Sequence, residues 1–151
     1  MLIRHKGLEL DVVTDAPFIG ARIAAINCSK NCPGCFNQHL LYEPTIITPA
    51  QDIIEQIQSS ISTGIIFGGL EWTEQPKELC ELTLLALDHN LEVMIYTHMD
   101  LQEFLEKFPI LSGLNIYLKC GEYKKDLPPY VDERYMINLA SSNQKIYWLG
   151  N

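Results

Sequence analysis

The chain is poor in positive charge: 11 Lys and Arg stand against 19 Asp and Glu, a formal net charge of −8. Such a chain offers no electrostatic footprint for a phosphate backbone, so no nucleic acid is expected among its partners. The one local basic pair, Lys124-Lys125, reads as solvated loop. Long apolar runs are missing too. None approaches the roughly 20 residues needed to cross a bilayer, and no membrane partner is expected. The opening Met1-Leu2-Ile3-Arg4-His5-Lys6 lacks the apolar core and small-residue cleavage site of a secretory signal. Low-complexity tracts, internal repeats and interdomain linkers are absent. So are a Ser-His-Asp arrangement and a phosphate loop. What is expected is a cytoplasmic protein whose 151 residues, 47% of them apolar, form one domain around one core.

Cysteine is scarce, at five residues, but three of the five fall in Asn27-Cys28-Ser29-Lys30-Asn31-Cys32-Pro33-Gly34-Cys35-Phe36-Asn37. In a reducing compartment, clustered cysteines bind metal more often than they form disulfides. The spacing Cys28-x3-Cys32-x2-Cys35 suits one inorganic centre, yet it supplies three ligands where a closed site takes four. Two chemistries fit. Three thiolates on a four-iron cluster leave one iron open for a ligand. Alternatively, His39 completes a structural zinc site. Cys80 lies in a helical pattern as a small apolar residue, and Cys120 follows a strand without an evident metal role.

Short β-branched runs alternate with helical patterns, which predicts βα units and a mostly parallel sheet. Strands are expected at Arg22–Ile26, Gly64–Phe67, Leu91–Tyr96, Leu114–Leu118 and Lys145–Leu149, with a sixth of open direction at Leu8–Val13. Thr48-Pro49-Ala50-Gln51 reads as a capping box with proline at the first helical position. Behind it Ile53, Ile54, Ile57 and Ile61 share a face. A second helix is expected over 76–89 with Leu79, Leu82 and Ala86 inward, ended by Asn90. Asp100 and Glu103 start a third, reaching about Phe108. This is too little chain for an eight-stranded barrel, which takes about 250 residues. The expected fold is an α/β, single-domain open partial (β/α) barrel with a mostly parallel sheet of about five to six strands. In parallel α/β sheets functional loops gather at the C-terminal strand ends. The cysteine loop, Gly68-Gly69 and Thr97-His98 all follow strands, so they should meet at one edge.

These residues together resemble the radical S-adenosylmethionine superfamily, and within it the activating component of anaerobic (class III) ribonucleoside-triphosphate reductase. The resemblance is carried by Cys28-x3-Cys32-x-Gly34-Cys35 followed by Phe36-Asn37, by Met94-Ile95-Tyr96-Thr97, and by Ser141-Ser142-Asn143-Gln144. Two stretches depart from the family pattern. Gly68-Gly69-Leu70-Glu71-Trp72 has Leu70 before the acidic residue and no proline until Pro76. Lys119-Cys120-Gly121 stands where an Asp-Gly turn is usual.

The resemblance implies a [4Fe–4S] cluster on Cys28, Cys32 and Cys35, with S-adenosylmethionine chelated to the fourth iron. It also implies reductive cleavage to a 5′-deoxyadenosyl radical, and removal of an α-hydrogen from a glycine of the anaerobic ribonucleotide reductase large chain. An electron donor such as flavodoxin would serve it. Cofactor contacts are expected from Asn37, Gly68, Gly69, Glu71, Thr97, Ser142 and Asn143. Each also has a plainer reading. Asn37 can cap the following segment, the glycine pair can be a turn, Thr97 a turn former, and Ser142 and Asn143 part of a terminal loop. Trp72 and Tyr123 border the open side or belong to core and surface. A radical enzyme of the same superfamily acting on another protein or a small molecule, and a zinc-stabilised interaction domain, remain as alternatives.

Overall fold

The computed structural model describes residues 1–30 and 32–151. Its centre is a six-stranded sheet. Four parallel strands form the middle: β3 (Gly20–Ile23), β5 (Gly64–Phe67), β6 (Glu92–Tyr96) and β7 (Ile116–Cys120). Two antiparallel strands close the edges, β2 (Leu8–Val12) against β3 and β10 (Lys145–Trp148) against β7. The strand order is β10-β7-β6-β5-β3-β2. Two hairpins lie outside the sheet: β1 (Leu2–His5) with β4 (Ile46–Pro49), and β8 (Tyr130–Asp132) with β9 (Ile137–Leu139).

The central strands are short and mostly apolar because both their faces are covered; β5 is apolar throughout, while Arg22, Glu92 and Lys119 are the charged residues of β3, β6 and β7. On one face Ile65, Phe67, Val93, Ile95, Ile116 and Leu118 pack against helices α1 (Ala50–Gln58), α2 (Pro76–Asp88) and α3 (Leu101–Lys107). Those helices present Ile53, Ile54 and Ile57, then Leu79, Leu82 and Ala86, then Phe104. On the other face Ile66, Met94 and Ile146 are covered by Ile137 and Leu139 of the β8–β9 hairpin. The structure is mixed α/β with a mostly parallel sheet, as the alternation of patterns predicts.

Several local expectations hold and others need correcting. The Asp100–Glu103 capping box is present in both directions, and Asn90 adopts φ +59° just beyond α2. Thr48, by contrast, caps nothing. It is drawn into β4 opposite Ile3, its hydroxyl lies 2.9 Å from His5 Nε2, and Pro49 takes the cap position. Ile61 lies past the end of α1 and is exposed. The fourth expected strand begins two residues late, at Ile116, so Lys119 and Cys120 belong to the strand. The hairpins were not expected from the sequence.

Candidate metal centre

The strand β3 ends at Ile23, and the chain runs directly toward the cysteines. Within the loop, Cys35 N donates to Cys32 O at 3.1 Å, and Gly34 sits at φ +73°. Proline followed by a positive-φ glycine inside such a bond is the signature of a type II turn, so the local sequence dictates this bend. The turn sets Cys32 and Cys35 at its two ends. Burial pushes the Cys32 thiol up, and the neighbouring Glu122 carboxylate, Cys35 and Cys28 push it further. Cys28, Cys32 and Cys35 all line one cavity. None of the five cysteines is in a disulfide.

A second loop is laced to this one by its main chain. Ala25 N donates to Gly69 O at 2.9 Å, and Glu71 N donates to Asn27 O at 3.0 Å. Gly69 has φ +94°, and a Cβ there would stand 3.0 Å from Ala24 Cβ and Leu40 Cδ1. Leu70, at φ +59°, carries the extra residue before Glu71 in a conformation rare for a branched side chain. Glu71 is thereby turned inward and buried. Its Oε2 accepts from Thr73 N, from the Thr73 hydroxyl at 2.7 Å and from the Thr97 hydroxyl at 3.1 Å. Its Oε1 accepts from His98 N at 2.8 Å, with His98 Nε2 at 3.6 Å.

The convergence expected at the C-terminal strand ends is present as a cavity of about 540 Å³. Cys28, Cys32, Cys35, Asn37, Gly69, Glu71 and Thr97 all line it. Asn37 makes no capping bond with its side chain, although it precedes a 3-10 turn at Gln38–Tyr42. Gly68 lines instead a neighbouring cavity of about 370 Å³, which shares Asn37 and Gly69 with the first. Ser142 is exposed, and Asn143 Nδ2 donates to Glu122 O at 2.8 Å; neither lines the large cavity. Gln144 does line it, and ties its rim together through Ala140 N, Ser141 N and Gly121 O. Trp72 is core, fully buried with its indole N–H on Ile23 O. Tyr123 lines the cavity beside Phe36, ring centroids 5.5 Å apart.

Lys119 is the wall residue that sequence reasoning missed. It projects from β7 into the cavity, is 8% exposed, and its ammonium donates to Gly121 O at 3.3 Å. Burial pulls it down to about 8, against the opposing pull of Glu71. Reading Leu118-Lys119-Cys120 as strand would have flagged a charge inside an apolar run.

Residues 19–147 match the family described as the 4Fe-4S single cluster domain. The chain belongs to that family. A search of curated proteins finds no significant match. The thiol set fits the cluster this family carries: soft sulfur donors suit iron–sulfur centres, and such a centre spreads its ligands over several irons. A single zinc instead draws all its ligands to about 2.3 Å from one point. No group of three metal-binding side chains close enough for one ion occurs among the described residues. His39 is exposed, lines the smaller cavity and not the larger one, and places its Nδ1 2.9 Å from Phe36 O. The 4Fe-4S single cluster domain is therefore the reading the thiols support, and no helix among the described residues is long and apolar enough to cross a membrane.

Proposed function

We infer that this 4Fe-4S domain is a radical S-adenosylmethionine enzyme, and that it installs a glycyl radical on an anaerobic ribonucleotide reductase. The observation that carries the reading is the incomplete sulfur set in a cavity with room to spare. Three thiols line a space of about 540 Å³, within the range of pockets for a nucleoside-sized ligand. Cys28, Cys32 and Cys35 would hold a [4Fe–4S] cluster, which when reduced would supply the single electron for cleaving the sulfonium of S-adenosylmethionine to methionine and the 5′-deoxyadenosyl radical that would take the glycine hydrogen.

The chain's own residues have distinct tasks in this reading. Cys28, Cys32 and Cys35 hold the iron. Gly69, lacking a Cβ, lets main chain approach the methionine part of the ligand. Glu71 holds Thr97 and the His98 amide in place, and Asn37 and Thr97 offer polar contacts from either side. Ser142 and Asn143 lie near the rim through the Gln144 loop, and Gly68 shapes the adjoining cavity. Phe36 and Tyr42, 70% and 88% exposed, stand on the cysteine loop and the turn after it. Exposed aromatics there favour a macromolecular substrate over a small molecule enclosed in a dry pocket. A reduced, cytoplasmic setting with a donor such as flavodoxin fits the thiols' need to stay reduced.

The test is anaerobic reconstitution followed by a reductant and S-adenosylmethionine. Roughly four irons per chain and reductant-dependent formation of methionine and 5′-deoxyadenosine are expected. Addition of a glycyl-radical reductase chain should then give an organic radical signal by electron paramagnetic resonance. Iron uptake without any cleavage would refute the radical reading while leaving the iron–sulfur family intact.

A further inference from the structure

The cavity contains a charge the proposed reaction does not use. Lys119 stands on β7 beside Tyr96 of β6, which is its register partner, with the ammonium 5.4 Å from the Tyr96 ring centroid. Among the described residues no carboxylate forms an ion pair with it. Glu71, the nearest acidic influence, has its oxygens engaged by Thr73, Thr97 and His98. A buried ammonium with one carbonyl and one ring face as partners is costly unless something anionic completes its surroundings. Lys119 lines the cavity that the three cysteines also line.

Three thiolates leave an assembled centre with net negative charge, and reduction adds one more electron. A fixed cation a short distance away, in a wall of low polarizability, favours the reduced state. We propose that Lys119 is a positioning residue for redox: its ammonium is the built-in counter-charge that raises the reduction potential of the centre held by Cys28, Cys32 and Cys35. The inference rests on the iron–sulfur assignment and not on S-adenosylmethionine. Tyr96 contributes by fixing the lysine's course, since its hydroxyl is itself held by Asp15 O at 2.6 Å. At neutral pH the amine remains mostly protonated despite its burial.

The experiment is a potentiometric titration of reconstituted wild type, Lys119→Met, Lys119→Gln and Lys119→Arg, followed by the paramagnetic signal of the reduced cluster. The neutral variants should hold wild-type iron and show the ratio of reduced to oxidised centre at least tenfold lower at a given potential. For a one-electron couple that is a fall of about 59 mV. Lys119→Arg should stay near wild type. A neutral variant with full iron and an unchanged midpoint overturns the proposal. If both neutral variants fail to retain iron while Lys119→Arg retains it, the charge is needed to hold the centre, which supports the assignment. If Lys119→Arg loses iron equally, shape and not charge is at work, and the proposal falls. Wild type that takes up no iron would overturn the iron–sulfur assignment itself, a separate and recognisable failure.

Discussion

Glu71 and Thr97 are joined across two loops: the carboxylate following β5 accepts the hydroxyl at the end of β6, at 3.1 Å. With His98 N on the other oxygen, one buried side chain fixes both walls of the cysteine cavity. Removing it would strand the Thr73 amide and hydroxyl, the Thr97 hydroxyl and the His98 amide. Glu71→Ala should therefore lower stability by at least about 2 kcal/mol in urea titrations. Glu71→Gln, which keeps an acceptor, should lose less than half of that. Equal losses in the two would contradict the role.

The cysteines divide into two classes. Replacing Cys28, Cys32 or Cys35 by Ala should abolish iron retention and visible absorbance after reconstitution. Cys80→Ala and Cys120→Ala should retain both, since neither lines the cavity. Measured iron per chain decides this directly. Full iron in Cys32→Ala would undo the assignment.

Gly69→Ala meets two obstacles at once: a φ of +94° and contacts of 3.0 Å to Ala24 Cβ and Leu40 Cδ1. A cost of about 1–3 kcal/mol is expected, together with weaker ligand binding because the loop must shift. Gly68→Ala serves as the control, since its nearest contact would be an ordinary 3.5 Å. Isothermal titration and thermal melts of the pair should separate them.

Acid should weaken the link between the β1–β4 hairpin and α2. Burial pushes the Glu78 carboxyl up, but bonds from Arg4, including its amide at 2.6 Å, outweigh this and hold it below the usual carboxylate range. A depressed folded-state value means stability that is present above the unfolded value of 4.5 and lost as pH falls through the folded one. Wild type should lose stability below about pH 4.5 more steeply than Glu78→Gln.

Lys119 gives a slope of the same sign for the opposite reason, because burial penalises its charged form where bonds from Arg4 favour that of Glu78. Its value falls from 10.5 to about 8 on folding, so the folded state sheds a proton the unfolded chain keeps. Cluster-free protein should gain stability as pH rises from about 8 toward 10.5. Lys119→Met should flatten this rise and be more stable at pH 7, by on the order of 1–3 kcal/mol. Melting temperatures across that range are the measurement.

Much of this was legible in the residues because local chemistry and final packing agree. Gly64–Phe67 is a strand with the bounds its apolar run suggests, and Asp100–Glu103 caps α3 as its spacing demands. Thr48 failed for the opposite reason. Its capping pattern is genuine, but pairing with β1 and the contact with His5 outcompete it, and that partner lies 43 residues away in sequence. The strands Tyr130–Asp132 and Ile137–Leu139 are three residues each, too short for a periodic signal. Lys119 was hidden because Gly113, at φ +79° and bridged to Gly150, delays the start of β7. Loop residues carried the site; their acceptors and donors were set by neighbours remote in the chain.

The β8–β9 hairpin has a practical consequence. By laying Ile137 and Leu139 over Ile66, Met94 and Ile146, it does for the sheet's second side what another subunit would otherwise have to do. Excising 124–140 would bare a greasy wall and leave a self-adhering polypeptide, before any chemistry at the sulfurs were touched. Handling in solution and reactivity thus have separate guardians within the same short chain.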